Sequence, residues 1–183
     1  MTAREIRECH YFRLEDFDIG KCRARLPVFT KKFVILWFIL NQVRNMYPEE
    51  IVIPMKEELT ENGFSELLTA DAVENTLAEK GTTLVMINSV CGCSAGTARP
   101  GVIMAVHNTS KKPDNITTAF AGFDIEAVNK LREHLMPYPP SSPAIALFKD
   151  GKLVHFIERH NIEGRSAQMI AQNLIGAFEE HCN

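Results

Sequence analysis

From residue 46 onward the apolar positions of this chain follow two rhythms. Short runs rich in apolar and β-branched residues predict strands at Thr82–Asn88, 117–122, Ala144–Lys149 and Lys152–Ile157. Asp150-Gly151, between the last two runs, is a hairpin-turn signal. Spacings of three and four predict helices between the strands. Residues 49–61 read as a helix interrupted by Pro54 and stopped near Gly63, with Glu57 and Glu58 on its solvated face. Thr69 is the expected cap of a helix over 70–80, with Asp71 in its first turn, Val73 and Leu77 facing inward and Gly81 just past its end. A helix is expected from Cys93 to about Val106, kinked at Pro100, with Val102, Ile103 and Val106 packed inward. Asp124 is the expected cap of a helix with Val128, Leu131 and Leu135 on one face. Asn161 is the expected cap of a last helix burying Ala167, Ile170, Leu174, Ala177 and Phe178. Residues 136–143 form a rigid proline-rich loop. The order after residue 64 is α, β, α, β, α, β, β, α, the signature of an α/β layered domain in which a parallel unit ends in an antiparallel hairpin and a covering helix.

Residues 1–45 follow neither rhythm. Residues 1–32 mix charged and apolar side chains without period, and 33–40 are a dense apolar run behind Lys31-Lys32. That run is too short to span a bilayer as a helix, which takes about twenty residues. It also lies too far from Met1, and lacks the small-residue cleavage site, for a signal peptide. A membrane-surface anchor and an interaction strand are alternative readings; a third is that the native chain starts at Met46. The expected organisation is an atypical extension over 1–45, disordered or non-native, followed by one domain over 46–183.

Composition narrows the class. The chain has 183 residues, 45% of them hydrophobic and 23% charged, which suits one soluble domain with an adequate core. A net charge of −3 gives no strong attraction to nucleic acid or membrane. Five cysteines, an odd number without regular spacing, argue against a disulfide-stapled secreted domain and for a reducing, cytoplasmic setting. In that setting the glycosylation patterns at Asn108 and Asn115 are empty.

The chemistry concentrates in Ser89-Val90-Cys91-Gly92-Cys93-Ser94-Ala95-Gly96. A strand here delivers two close thiols to the start of a helix, whose N-terminus stabilises the reactive thiolate. Gly92 is expected to permit the sharp backbone that a bridge across one residue requires. Such a bridge closes a tight ring, readily reduced and so labile rather than structural. Two other readings of the pair are inert buried thiols and half of a metal site. A structural zinc site needs about four ligands, and Cys9, Cys22 and Cys182 are scattered singly, so no metal ligand is assigned.

A dithiol at a strand–helix junction, a proline in that helix and an X-Pro opening a hairpin resemble the thioredoxin fold. The expected fold class is therefore α/β, thioredoxin-like, with a mixed central sheet flanked by helices. Residues 142–151 resemble the segment in which that fold carries a cis-proline beside its cysteines, so Pro143, preceded by Ser142, is the site-shaping candidate. A narrower likeness rests on Asn88-Ser89-Val90-Cys91-Gly92-Cys93, Ala98-Arg99-Pro100-Gly101, Tyr138-Pro139-Pro140-Ser141-Ser142-Pro143, Glu158-Arg159-His160 and Ile162-Glu163-Gly164-Arg165. Over about 46–182 the chain resembles the bacilliredoxin family, small bacterial thiol oxidoreductases that remove bacillithiol, a low-molecular-weight thiol, from oxidised client proteins. Weak disulfide-isomerase activity is also attributed to such proteins. The extension before Met46 departs from the family pattern.

The resemblance implies Cys91 as nucleophile and Cys93 as its partner, with Gly92, Ser142 and Pro143 shaping the site. Cys91 is favoured for attack because it lies further out at the helix start, with its thiol pKa expected below the free value of about 8.5. Arg99 is expected either to steer the carboxylates of bacillithiol or to be a solvated arginine. Ser89, Ser94 and Thr97 are expected to donate to a thiolate or, more simply, to cap the helix. Glu158, Arg159 and His160 read as a local ion pair at a strand end, and Cys182 as a bystander. The implied partners are S-bacillithiolated clients and a disulfide reductase. Bacillithiol is then a co-substrate, and no bound cofactor is expected. A general protein disulfide isomerase or reductase, a non-enzymatic metal-binding module built on the Cys-Gly-Cys pair and a non-catalytic adaptor are the alternative functions.

Overall fold

Alternate residues of the run Thr82–Asn88 point into two different cores, which makes this strand the spine of the fold. The computed structural model describes residues 46–183. The readings of 1–45, including those of Cys9, Cys22 and the run 33–40, lie outside the described residues. The strand, β2 (Thr82–Asn88), is buried along its whole length. Leu84 and Met86 face one cluster with Leu59, Val102, Ile145, Leu147, Ile170, Leu174 and Phe178; Val85 and Ile87 face the other with Val73, Leu77, Val128, Leu131, Ala146 and Phe148. A strand buried on both faces reads as a continuous apolar run, as this one does.

The elements follow as α1 (Glu49–Thr60), β1 (Ser65–Glu66), α2 (Ala70–Ala78), β2, a π-helical turn (Ser94–Ala98), α3 (Arg99–His107), β3 (Asn115–Phe120), α4 (Ile125–His134), β4 (Ala144–Lys149), β5 (Lys152–Ile157), α5 (Arg159–Ile162) and α6 (Ala167–His181). The sheet order is β1-β3-β2-β4-β5. β3 runs parallel to both β1 and β2, and β4 runs antiparallel to both β2 and β5. Buried Thr117 and Thr118 donate from Oγ1 to the Leu84 and Met86 carbonyls at 2.9 and 3.0 Å, adding side-chain bonds to the β2–β3 ladder. Helices α1, α3 and α6 supply one core, α2 and α4 the other. This is the mixed, helix-flanked sheet expected of a thioredoxin-like fold.

Local signals hold where local physics decides. At the β4–β5 turn Asp150 and Gly151 both take positive φ, 50° and 73°, the requirement of a type I′ hairpin. Thr69 caps α2, accepting from the Ala72 amide at 3.1 Å.

Four expectations are corrected. Pro54 does not interrupt α1: the helix runs unbroken from Glu49 to Thr60 with Pro54 on its exposed face, where the carbonyl left without a helix donor is open to solvent. The helix expected from Cys93 to about Val106 is helical without a break over residues 92–107 but is not α-helical throughout: Ser94–Ala98 form a π-helical turn, and Pro100 follows it in the first turn of α3. Asp124 makes no side-chain cap; its carboxylate instead accepts from the Phe120 amide at 2.8 Å and pairs with Lys56 at 2.9 Å. Asn161 falls within the separate turn α5, and Ser166 caps the last helix, accepting from the Met169 amide at 3.3 Å.

α3 and α6 pack closely at Gly101. A Cβ there would stand 2.8 Å from the Ile170 Cβ, so only glycine lets the two helices approach this far.

Candidate functional site

The end of β2 delivers the two thiols. Cys91 and Cys93, both half-buried, are joined as a disulfide with Cα atoms 5.4 Å apart. Gly92 between them is exposed. Its φ lies outside the left-handed region and a Cβ would meet nothing within 4 Å, so the expectation that the bridge requires glycine is corrected.

The two sulfurs have different surroundings. Two donors converge on Cys91 Sγ: the Ser94 amide at 3.3 Å and the Ser89 hydroxyl at 3.4 Å. The Cys91 carbonyl meanwhile accepts from the Ser94 and Ala95 amides at 3.0 and 3.2 Å, which holds the sulfur at the mouth of the turn. Cys93 packs against the apolar core. Donors aimed at a sulfur favour its charged form, and contact with apolar side chains does not.

Beneath the dithiol lies a polar hub absent from the sequence reading. Asn88, 1% exposed, accepts at Oδ1 from the Ser89 amide (2.8 Å), the Ser94 hydroxyl (2.8 Å) and Arg99 Nη1 (3.2 Å), and donates from Nδ2 to the Met55 carbonyl at 2.9 Å. Arg99, 3% exposed, also reaches the Ser89 carbonyl and the Ser94 hydroxyl, each at 3.3 Å, and its Nε pairs with Glu58 at 2.5 Å. Arg99 is thus neither solvated nor presented to a ligand in solution. Glu58 is correspondingly an ion-pair partner rather than a bare solvated residue. The one available signal was Asn88 itself, a carboxamide closing an otherwise apolar and β-branched strand.

The remaining candidates are placed as follows. Ser89 and Ser94 do not cap a helix with their side chains; they serve the sulfur and the hub. Thr97 donates to the Arg165 carbonyl at 3.2 Å, tying the π-helical turn to the start of the last helix. The Ser142–Pro143 bond is cis, and Pro143 is buried. The pairing of Ile87 with Ala144 puts Pro143 alongside the end of β2, so the loop and the dithiol share one end of the sheet. The Ser142 carbonyl accepts from Arg159 at 3.4 Å; Arg159 pairs with Glu163 at 2.6 Å, and His160 lies 4.0 Å from the Glu158 carboxylate. Among the described residues no group of three or more His, Cys, Asp or Glu is placed to hold a metal ion.

A thioredoxin-like mixed sheet with a closely spaced Cys-Gly-Cys dithiol at the end of its central strand defines a thiol–disulfide redox protein. The chain is matched over residues 47–182 by a family model described as disulphide isomerase. It is 61% identical over 135 residues to a bacilliredoxin of Cytophaga hutchinsonii, covering 74% of this chain and 99% of that one. It is 50% identical over 137 residues to a bacilliredoxin of Bacillus licheniformis, covering 74% and 95%. The chain belongs to the bacilliredoxin family. Two solved structures also resemble it: oxidised mitochondrial thioredoxin 3 from Saccharomyces cerevisiae (14% identity, 64% of this chain and 94% of that one, TM-score 0.44) and oxidised thioredoxin from Plasmodium falciparum (13%, 63% and 98%, 0.46). At those values the topology above, not the superposition, carries the fold assignment.

Proposed function

We propose that this protein removes bacillithiol from S-bacillithiolated client proteins. The observation that carries the reading is the convergence of the Ser94 amide and the Ser89 hydroxyl on Cys91 Sγ. The Cys91 thiolate attacks the bacillithiol sulfur of the client mixed disulfide. The client leaves as a thiolate and takes up a proton, and Cys91 holds the bacillithiol. Cys93 then attacks Cys91, releases bacillithiol as a thiol and leaves the Cys91–Cys93 disulfide, which a reductase reopens by supplying two electrons. A second free thiol attacking the bacillithiol sulfur resolves the intermediate equally well. Bacillithiol is a co-substrate in this scheme, and no bound cofactor takes part. The reading carries a cytoplasmic setting with it, where reductants keep the pair cycling. Among the described residues no helix is long and apolar enough to cross a membrane.

The test is mass spectrometry of the reduced full chain mixed with a bacillithiolated client. The wild type is expected to strip the client and end as the Cys91–Cys93 disulfide. Cys91→Ser should abolish transfer. Cys93→Ser should strip the client and retain bacillithiol on Cys91, because attack needs one thiolate and release needs another. The reverse pattern would exchange the two roles. Normal transfer by both variants would remove the dithiol from the mechanism.

A further inference from the structure

Both residues that donate to Cys91 Sγ are held, through other atoms, by a single side chain. Ser89 donates through its hydroxyl and Ser94 through its amide. Arg99 Nη1 holds the carbonyl of Ser89 and the hydroxyl of Ser94, and reaches the Asn88 oxygen that also fixes both serines. The guanidinium is almost wholly buried, so its charge is weakly screened by water. Its carboxylate partner among the described residues, Glu58, comes from a different helix, α1, and keeps 41% of its side chain exposed.

We infer that Arg99 and Glu58 are a pair of opposed positioning residues: Arg99 favours the Cys91 thiolate through its charge and its grip on the two donors, and Glu58 moderates that charge. The inference rests on the reading of Cys91 as the attacking thiol. Neither residue touches the sulfur in the hydrogen bonds described above. Among the described residues, the charged groups that hydrogen-bond within the hub are Glu58 from α1 and Arg99 at the start of α3. β2, the loop after it and the π-helical turn contribute the neutral Asn88, Ser89 and Ser94. A lone arginine under the site would hold the thiol permanently ionised but weaken its attack, since thiolate nucleophilicity falls with basicity. A carboxylate on the far side of the guanidinium weakens its pull on the sulfur while keeping its geometry.

This arrangement predicts effects of opposite sign, which a purely structural ion pair does not. Breaking a structural pair from either side loosens the donors and shifts the thiol in the same direction. Removing Glu58 from an opposed pair frees the arginine charge and makes the thiolate easier to form.

The experiment is the pH dependence of iodoacetamide alkylation in the reduced full chain, with Cys91 resolved from the other thiols by peptide mass spectrometry. Arg99→Gln should move the Cys91 midpoint up by about one pH unit, and Arg99→Lys should recover part of that by restoring charge without the forked grip. Glu58→Gln keeps an acceptor for Arg99 Nε and should move the midpoint down by about half a unit. An upward or absent shift in Glu58→Gln overturns the inference. So does an Arg99→Gln protein that loses thermal stability but keeps the wild-type midpoint. If Arg99→Gln does not fold, the half-exposed Glu58→Gln alone decides by its sign. A wild type in which Cys93 ionises and reacts before Cys91 overturns the underlying reading instead, and is told apart because it needs no variant.

Discussion

Two thiols sit at opposite ends of the same sheet, and their surroundings make them opposites. At the end where β2 finishes, two donors point at half-buried Cys91. At the end where β2 begins, Cys182 follows α6 into the core at 4% exposure, and burial pushes its thiol above the usual range. Donors are present there too, but they mainly serve a carboxylate: Asp114 accepts from the Thr82 amide at 2.7 Å and the Thr82 hydroxyl at 2.8 Å, and the Thr82 side chain's interaction with Cys182 does not offset its burial. The charge of Asp114 adds to the penalty on the Cys182 thiolate. The difference teaches that a reactive cysteine is made by where the strand-end donors aim, since both ends of β2 have them.

The largest effect that could break this comparison is in reactivity. In the reduced native protein Cys91 should alkylate readily at neutral pH, while Cys182 should react only after denaturation. Cys182→Ser should leave exchange at the wild-type level, in contrast to the loss at Cys91→Ser. Comparable labelling of both native thiols would show that aim and burial do not separate them.

A smaller effect tests the quiet end. The Thr82 donors hold the Asp114 carboxyl below its ordinary value of 3.8. A group depressed in the folded state stabilises fully above its unfolded pKa, and that contribution is lost as pH falls through the lower folded value. Asp114→Asn should therefore lower the melting temperature near neutral pH, with the gap to wild type closing below about pH 4, where protonation begins to remove the contribution from the wild type too. Thermal melts at matched pH values check this, and a gap that widens in acid would contradict the assignment.

The smallest effect concerns Gly92. With open space at its Cβ position and no left-handed φ, Gly92→Ala should change stability by less than about 0.5 kcal/mol and still form the Cys91–Cys93 disulfide. Chemical denaturation and a thiol count read both. A large loss would mean that glycine, and not the donors, organises the active end.

What could be read from the sequence follows the range of the interactions. β2, β4, β5 and the Asp150-Gly151 turn were legible because alternation and turn chemistry are local. The Cys91–Cys93 pair was legible because its chemistry lies in adjacent positions. The hub was not: Glu58, Asn88 and Arg99 are brought together from α1, β2 and α3, and nothing in their spacing announces it. The same holds for β1, whose two residues are a strand only because β3 runs beside them. Asn161 and Asp124 misled for a related reason. Each has a capping side chain, but a tertiary partner or an intervening turn claimed the helix start.

The complete burial of β2, paired on both sides, has a dynamic consequence. Amides so enclosed exchange with deuterated solvent only through openings close to global unfolding. Deuterium uptake along this strand is thus a clock for the whole domain, while the segment carrying the sulfurs sits just beyond its last protected amide. Electrons can enter and leave there while the clock keeps its rate, so oxidised and reduced protein should differ in protection after residue 88 and agree before it.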